Sequence, residues 1–256
     1  MQPDNVKKNV MSNFDSELNI AREASLIASK ILISNKDKFN KILSDEGRDI
    51  KIKADIESES AIKKYLEANS EYPILGEESG ANMELGNTFW VVDPLDGTSN
   101  YSRDFPICCI SIALIYNDEI VLGLINDFNR GDIYESTINS KARLNGYEIQ
   151  VSSVKETSKA TLASGFPAKG NFDQNFIQGF SENLLKWKKV RMIGSAAMSC
   201  AYVASGQFDQ YQESGIFLWD VAAGLSLIRS AGGKFSYKIH QDDIFKLDVI
   251  ANNGSL

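Results

Sequence analysis

The stretch Phe89-Trp90-Val91-Val92-Asp93-Pro94-Leu95-Asp96-Gly97-Thr98 constrains this chain more than any other. Four apolar residues run together as in a buried strand and then meet two carboxylates. Such a strand is predicted to deliver Asp93 to its carboxyl end, where open sheets place their chemistry. A Pro-Leu-Asp-Gly turn would bring Asp96 to the same point and turn the Gly97 and Thr98 amides outward. Two carboxylates at one spot repel, so they call for a cation between them, and oxygen-only donors favour a hard ion such as Mg2+. Exposed amides beside a cation form the complementary half of a phosphate site. The same letters also spell a turn and nothing more. Further carboxylates elsewhere in the chain decide between the two.

Upstream, residues 14–33 carry Leu18, Ala21, Ala24, Ala28, Ile31 and Leu32 at helical spacing, which predicts a packing helix. Residues 49–55 alternate as a half-exposed strand does, and Asp55 stands where a helix begins, the position of an N-cap. Glu77 follows the apolar pair Ile74-Leu75 and Gly76, close enough in sequence to a strand end to reach a cation held by Asp93. Glu78 reads as a solvated surface acid. Downstream, the β-rich runs 107–116 and 119–126 flank Asn117-Asp118, a hairpin signal, and residues 132–136 continue as a third antiparallel strand. Consecutive hairpins point to an α+β layered fold.

The second half reads as a strand at 160–164, an amphipathic helix at 172–187 and a strand at 190–193 ending in Gly194-Ser195-Ala196. Ser195 is a natural N-cap, and a helix start after glycine is also an anion site. A strand at 207–211 leads to Glu213 and then to Asp220, which opens a helix with the small residues Ala222, Ala223 and Gly224. An acid there is favoured by the helix dipole alone.

Composition removes several alternatives. A chain of 256 residues with 43% hydrophobic residues can bury a sizeable core. A net charge of -7 without a dense Lys/Arg block argues against nucleic-acid binding. Neither a membrane-length apolar run nor a secretory leader stands in the sequence, so a cytoplasmic protein is expected. His240 is the only histidine, and Cys108, Cys109 and Cys200 form no CxxC pair. Histidine-based triads and zinc sites are therefore poorly supported, and carboxylates, hydroxyls and metal must carry any catalysis.

Asp55, Glu77, Asp93, Asp96 and Asp220 all fall at strand ends or helix starts. With Gly-Glu-Glu-Ser at 76–79, Asp-Pro-Leu-Asp-Gly-Thr at 93–98 and Trp-Asp-Val-Ala-Ala-Gly at 219–224, the chain resembles the inositol monophosphatase family of metal-dependent, lithium-sensitive phosphatases. The resemblance implies a layered αβαβα sandwich of the inositol monophosphatase and fructose-1,6-bisphosphatase type. It further implies one catalytic unit with an α+β half at about 1–145 and an α/β half at about 146–256. A homodimer with two to three Mg2+ ions is usual there. Matched by position, Glu77, Asp93 and the Leu95 carbonyl hold a first ion; Asp93, Asp96 and Asp220 hold a second; Glu77 helps place a third. Asp55 and Thr98 match the pair that orients and deprotonates the attacking water. The Gly97 and Thr98 amides match a phosphate cradle, Gly194, Ser195 and Ala196 a substrate-contacting helix start, and Glu213 the acid that binds inositol hydroxyls.

The expected reaction is in-line hydrolysis of a small polyol or sugar monophosphate such as inositol 1-phosphate. Ser99-Asn100-Tyr101 is similar to the Thr-Asn-Phe of inositol phosphatases and unlike the Lys-Glu-Phe of bisphosphate nucleotidases. The alternatives are a 3′(2′),5′-bisphosphate nucleotidase, a fructose-1,6-bisphosphatase and, from another class, a regulatory binding partner of the transcription machinery.

Overall fold

Short turns between apolar runs force strands to return beside their predecessors. At Asn117 and Asp118 the backbone takes φ of 49° and 63°, the left-handed pair that matches the twist of a tight hairpin. The computed structural model describes residues 14–40, 42–46, 49–166 and 173–256.

Helix α1 (Asp15–Ser34), the single turn α2 (Lys36–Phe39), a hairpin of β1 (Ile42–Glu46) with β2 (Asp49–Ile52), and α3 (Lys53–Asn69) come first. There follow β3 (Ile74–Gly76), β4 (Gly80–Ala81), β5 (Thr88–Asp96), the short helix α4 (Thr98–Ser102), β6 (Cys109–Tyr116), β7 (Glu119–Asp127), β8 (Asp132–Thr137), β9 (Arg143–Leu144) and β10 (Tyr147–Glu148). The remainder is β11 (Thr161–Ser164), α5 (Gln174–Leu184), β12 (Lys189–Arg191), α6 (Ala196–Ala204), β13 (Gln210–Phe217), α7 (Leu218–Ser230), β14 (Lys234–Ile239) and β15 (Lys246–Asn252).

Strands β3 to β10 form one eight-stranded sheet, ordered β10-β9-β8-β7-β6-β5-β3-β4 and antiparallel except between β3 and β5. A second sheet of five strands is ordered β12-β11-β13-β15-β14, with β11 parallel to both neighbours. Helices α1 and α3 cover one face of the large sheet, while α6 and α7 lie between the two sheets. Helix α5 supplies the fifth layer, its Phe176 and Phe180 facing Gln212, Ser236 and Ile250 across a cleft of about 580 Å3. The αβαβα sandwich follows from amphipathic faces. Trp90 and Val92 of β5 pack with Leu32 of α1 and Ile62 of α3, and the intervening Val91 joins Val221 and Ala222 of α7.

The differences from the sequence reading lie at element ends. The alternation in 49–55 overshoots, because the strand stops at Ile52 and Lys53 already begins α3. A first helical turn has no preceding carbonyls to bond, so alternation alone does not mark the switch. Strand β13 starts at Gln210, three residues later than the run suggests, and continues through Glu213 to Phe217. Helix α5 is shorter than 172–187, and Phe172 lies outside the described residues.

Helix α7 packs tightly over Gly123 of β7, where a Cβ would stand 2.3 Å from the Ala223 carbonyl oxygen. Replacing Gly123 with Ala must lift the helix from the sheet. The expected cost is about 1–3 kcal/mol, read as a lower urea midpoint at unchanged m-value.

Candidate active site

The site is set by the end of β5. Asp93 faces Ser111 of β6 and Asp96 faces Cys109, so three residues on one strand span two on the other. That extra residue is a β-bulge. In a regular strand, residues three apart point to opposite faces; here the bulge puts Asp93 and Asp96 on the same one. Pro94 has no amide hydrogen to lose from the ladder. The Leu95 amide instead donates to Asp93 Oδ1 at 2.9 Å. The expected Pro-Leu-Asp-Gly turn is thus a bulge, and the strand runs on through Asp96. Only then does Gly97, at φ 89°, reverse the chain into α4. A side chain there would meet the Ile107 carbonyl at 2.9 Å as well.

Glu77, Asp93 and Asp220 each bring one carboxylate oxygen within 4.8 Å of the others. Asp93 is buried, Asp220 half-buried and Glu77 exposed at the open rim. Loss of water raises all three carboxyls well above their ordinary range. The Glu77 charge adds to this at Asp93, the Asp220 charge at Glu77 and the Asp96 charge at Asp220. Glu77 shares in it although its residue surface is open, because its carboxyl end leans into the acidic cluster. Among the described residues, no lysine or arginine forms an ion pair with any of the three. An all-oxygen donor set of crowded, unneutralised carboxylates fits a hard divalent cation such as Mg2+.

Asp55 and Asp220 are aimed by the same device. Asp55 is not the N-cap expected from sequence. It occupies the third position of α3 and accepts the Ile52 amide at 2.6 Å with Oδ2. Asp220, third in α7, accepts the Phe217 amide at 2.9 Å. Each acid spends one oxygen closing its helix start and keeps the other for the site. The second Asp55 oxygen lies 3.0 Å from Thr98 Oγ1, which is also 3.0 Å from the Leu95 carbonyl. Burial pushes Asp55 up to about 7 against the opposing Ile52 hydrogen bond.

Asp96 is turned elsewhere. Its Oδ2 accepts the Ser195 hydroxyl, the Ala197 amide at 2.8 Å and the Cys109 thiol at 3.8 Å, and Oδ1 accepts the Ala196 amide at 3.3 Å. It therefore anchors the start of α6 and is not among the three acids whose oxygens converge, although its charge still acts on Asp93 and Asp220. Ser195 is the N-cap its position suggested, accepting the Met198 amide at 3.2 Å. Gly194 is held against the motif by Asn100, whose Nδ2 donates to the Ile107 and Ile193 carbonyls at 2.7 Å each. Glu213 receives the Tyr211 hydroxyl at 3.0 Å, and burial lifts it to about 7.

Sequence reasoning missed the Cys109 thiol, the Ala197 amide and the stitching role of Asn100. The Ala197 amide that reaches Asp96 and the Ile193 carbonyl that Asn100 reaches lie about a hundred residues from their partners, and Cys109 meets Asp96 only through the pairing of β5 with β6.

The family model for the inositol monophosphatase family matches residues 13–255. An inositol-1-monophosphatase of Synechocystis sp. is 34% identical over 96% of this chain and 87% of its own length. A protein of Xylella fastidiosa named Nus factor SuhB is 37% identical over 84% of this chain and 80% of its own. The solved inositol monophosphatase from Anabaena superposes with a TM-score of 0.82 at 32% identity, covering 95% of this chain and 93% of that one.

The acidic cluster makes cation binding and stability interdependent. Below the ordinary carboxylate range all three groups are protonated in both states and cost nothing. As pH rises, the unfolded chain ionises first, so the cation-free fold loses stability up to its own raised values. Mg2+ at about a hundred times its Kd should restore roughly 2.7 kcal/mol, several degrees in Tm at pH 8. Asp93→Asn should melt higher than the cation-free parent and lose most of the Mg2+ response in differential scanning calorimetry.

Proposed function

We propose, from the premise that this chain belongs to the inositol monophosphatase family and is a phosphatase, that it hydrolyses small polyol or sugar monophosphates such as inositol 1-phosphate, using Mg2+. The observation that carries this reading is the convergence of Glu77, Asp93 and Asp220 beside the hydrogen-bonded pair Asp55–Thr98 and the amino end of α6.

Bound Mg2+, two to three ions in the full reading, would supply Lewis acidity toward the phosphoryl oxygens and acidify water. Glu77, Asp93 and Asp220 are the residues that would hold it, with the Leu95 carbonyl and Asp96 as further oxygen donors in the same reading. The remaining steps belong to the chain's own groups. Thr98 Oγ1 sits between two acceptors and can hand its proton to Asp55 while taking one from the attacking water. Asp55, raised to about 7, has the affinity to keep that proton near neutral pH. The amides of Gly97 and Thr98 at the start of α4 hold the phosphate, and Glu213 with the Gly194–Ala196 segment orients the alcohol. A chain of net charge -7 admits a phosphate only because the cations invert the field locally. Lithium inhibition, a homodimeric state and a cytoplasmic setting accompany this reading.

The test is phosphate release from inositol 1-phosphate, glycerol 2-phosphate, fructose 1,6-bisphosphate and adenosine 3′,5′-bisphosphate, with Mg2+, with chelator and with Li+. Turnover with Mg2+ that Li+ suppresses is expected, fastest on the monophosphates. Asp55→Ala should lower kcat by about 100-fold or more while KM changes little. A folded protein inactive on every substrate would favour the second reading, a binding role in transcription, which rests on the relative named Nus factor SuhB.

A further inference from the structure

Asp55, Ser58 and Glu59 stand on one face of α3, at helical spacing, and all three are buried. Each reaches a different part of the site. Asp55 meets Thr98, Ser58 Oγ donates to the Pro94 carbonyl in the β5 bulge at 2.8 Å, and Glu59 holds the turn that follows β3. Glu59 Oε2 accepts the Glu78 amide at 2.8 Å. Its Oε1 accepts the Ser79 hydroxyl, to which Lys63 donates in turn at 2.7 Å. The Glu77 amide, for its part, donates to the Val92 carbonyl of β5 at 3.1 Å. The backbone is thus pinned on both sides of the Glu77 α-carbon, to the strand that carries Asp93 and to Glu59. Gly76 shows how close the approach is. Its φ is not left-handed, yet a Cβ there would stand 2.5 Å from Glu59 Oε2 and 2.6 Å from its Cδ. The glycine serves the contact, not a turn. Among the described residues Glu59 forms no ion pair. A buried carboxylate held by neutral donors is costly, and an apolar side chain would pack between α3 and β3 more favourably. What the carboxylate adds is a fixed Glu77.

We propose that Glu59 is a positioning residue for cation binding: by holding the Glu78 amide it keeps Glu77 within reach of the ion that Asp93 and Asp220 share. This rests on the Mg2+ reading above and deepens it. Glu59 is not among the converging acids; it acts through the turn, so that Glu77 is in place before the cation arrives and no ordering cost falls on binding.

The test is calorimetric titration of Mg2+ alone into the substrate-free protein, followed by the Mg2+ dependence of phosphate release from inositol 1-phosphate. Glu59→Ala is expected to weaken Mg2+ binding by about 10–100-fold, with kcat recovering as Mg2+ is raised and KM for the ester unmoved. Glu59→Gln keeps one acceptor oxygen for the Glu78 amide and should retain most of the affinity. Gly76→Ala pushes the carboxylate aside and should reproduce the defect. Combined with Glu59→Ala it should add nothing further, since both act through one contact. Wild-type affinity in Glu59→Ala or Gly76→Ala, a Glu59→Gln as weak as Glu59→Ala, or single losses that multiply in the double variant would each overturn the positioning role and leave the phosphatase standing. A wild type that binds no Mg2+ would remove the cation reading and the role of Glu59 together.

Discussion

Like-charge repulsion in a water-poor setting is the condition this fold must accommodate. Asp93 is almost wholly buried, with Asp96 on the same sheet face and Asp220 opposite. At an effective dielectric of about 20, each ionised pair at such separations costs on the order of 3 kcal/mol. The structure offsets that elsewhere. Two apolar cores, one between α1, α3 and the large sheet and one around α6 and α7, clamp β5 from both faces. The acids are thus held where they are unfavourable by residues that have no part in chemistry. A site of this kind suits a cation because its own scaffold leaves it unneutralised.

The local devices that aim the carboxylates are few. One bulge at Pro94–Leu95 aligns two acids that a regular strand would separate. Two helix starts, α3 and α7, each bind one oxygen of an aspartate and release the other toward the site. The α6 start does the reverse and captures Asp96 from a distance, with backbone amides and a serine hydroxyl that suit negative charge. Ser195 and Asn100 join the two sheets at this point, so the second sheet takes part in the site through hydrogen bonds to β5 and α4 as well as through Glu213.

Much of this was legible in the sequence for a definite reason. Hairpins, the strand into Asp93 and the helix opening at Ser195 depend on neighbours within a few residues, and their apolar patterns and turn letters record them. Asp-Pro-Leu-Asp-Gly was harder. A bulge and a turn use the same residue types, and only the pairing with Ser111 and Cys109 distinguishes them. Asp55 and Asp220 were both read at helix starts, yet the N-cap expected for Asp55 differs from the third position it holds, because a few residues of helix boundary are invisible to composition. The orientation of Asp96 was out of reach, since its donors lie in a segment that only tertiary folding brings near.

The helix-start arrangement also bears on how such a protein can change over generations. Asp55 and Asp220 each serve the backbone through a single oxygen, and asparagine, one base change from aspartate, still offers one. A lineage can therefore lose its negative charge at these positions while keeping the helices, the layers and the outer surface. Chemistry and shape are separable by the smallest of genetic steps, so a descendant that no longer turns over substrate inherits a finished scaffold on which selection for binding can act.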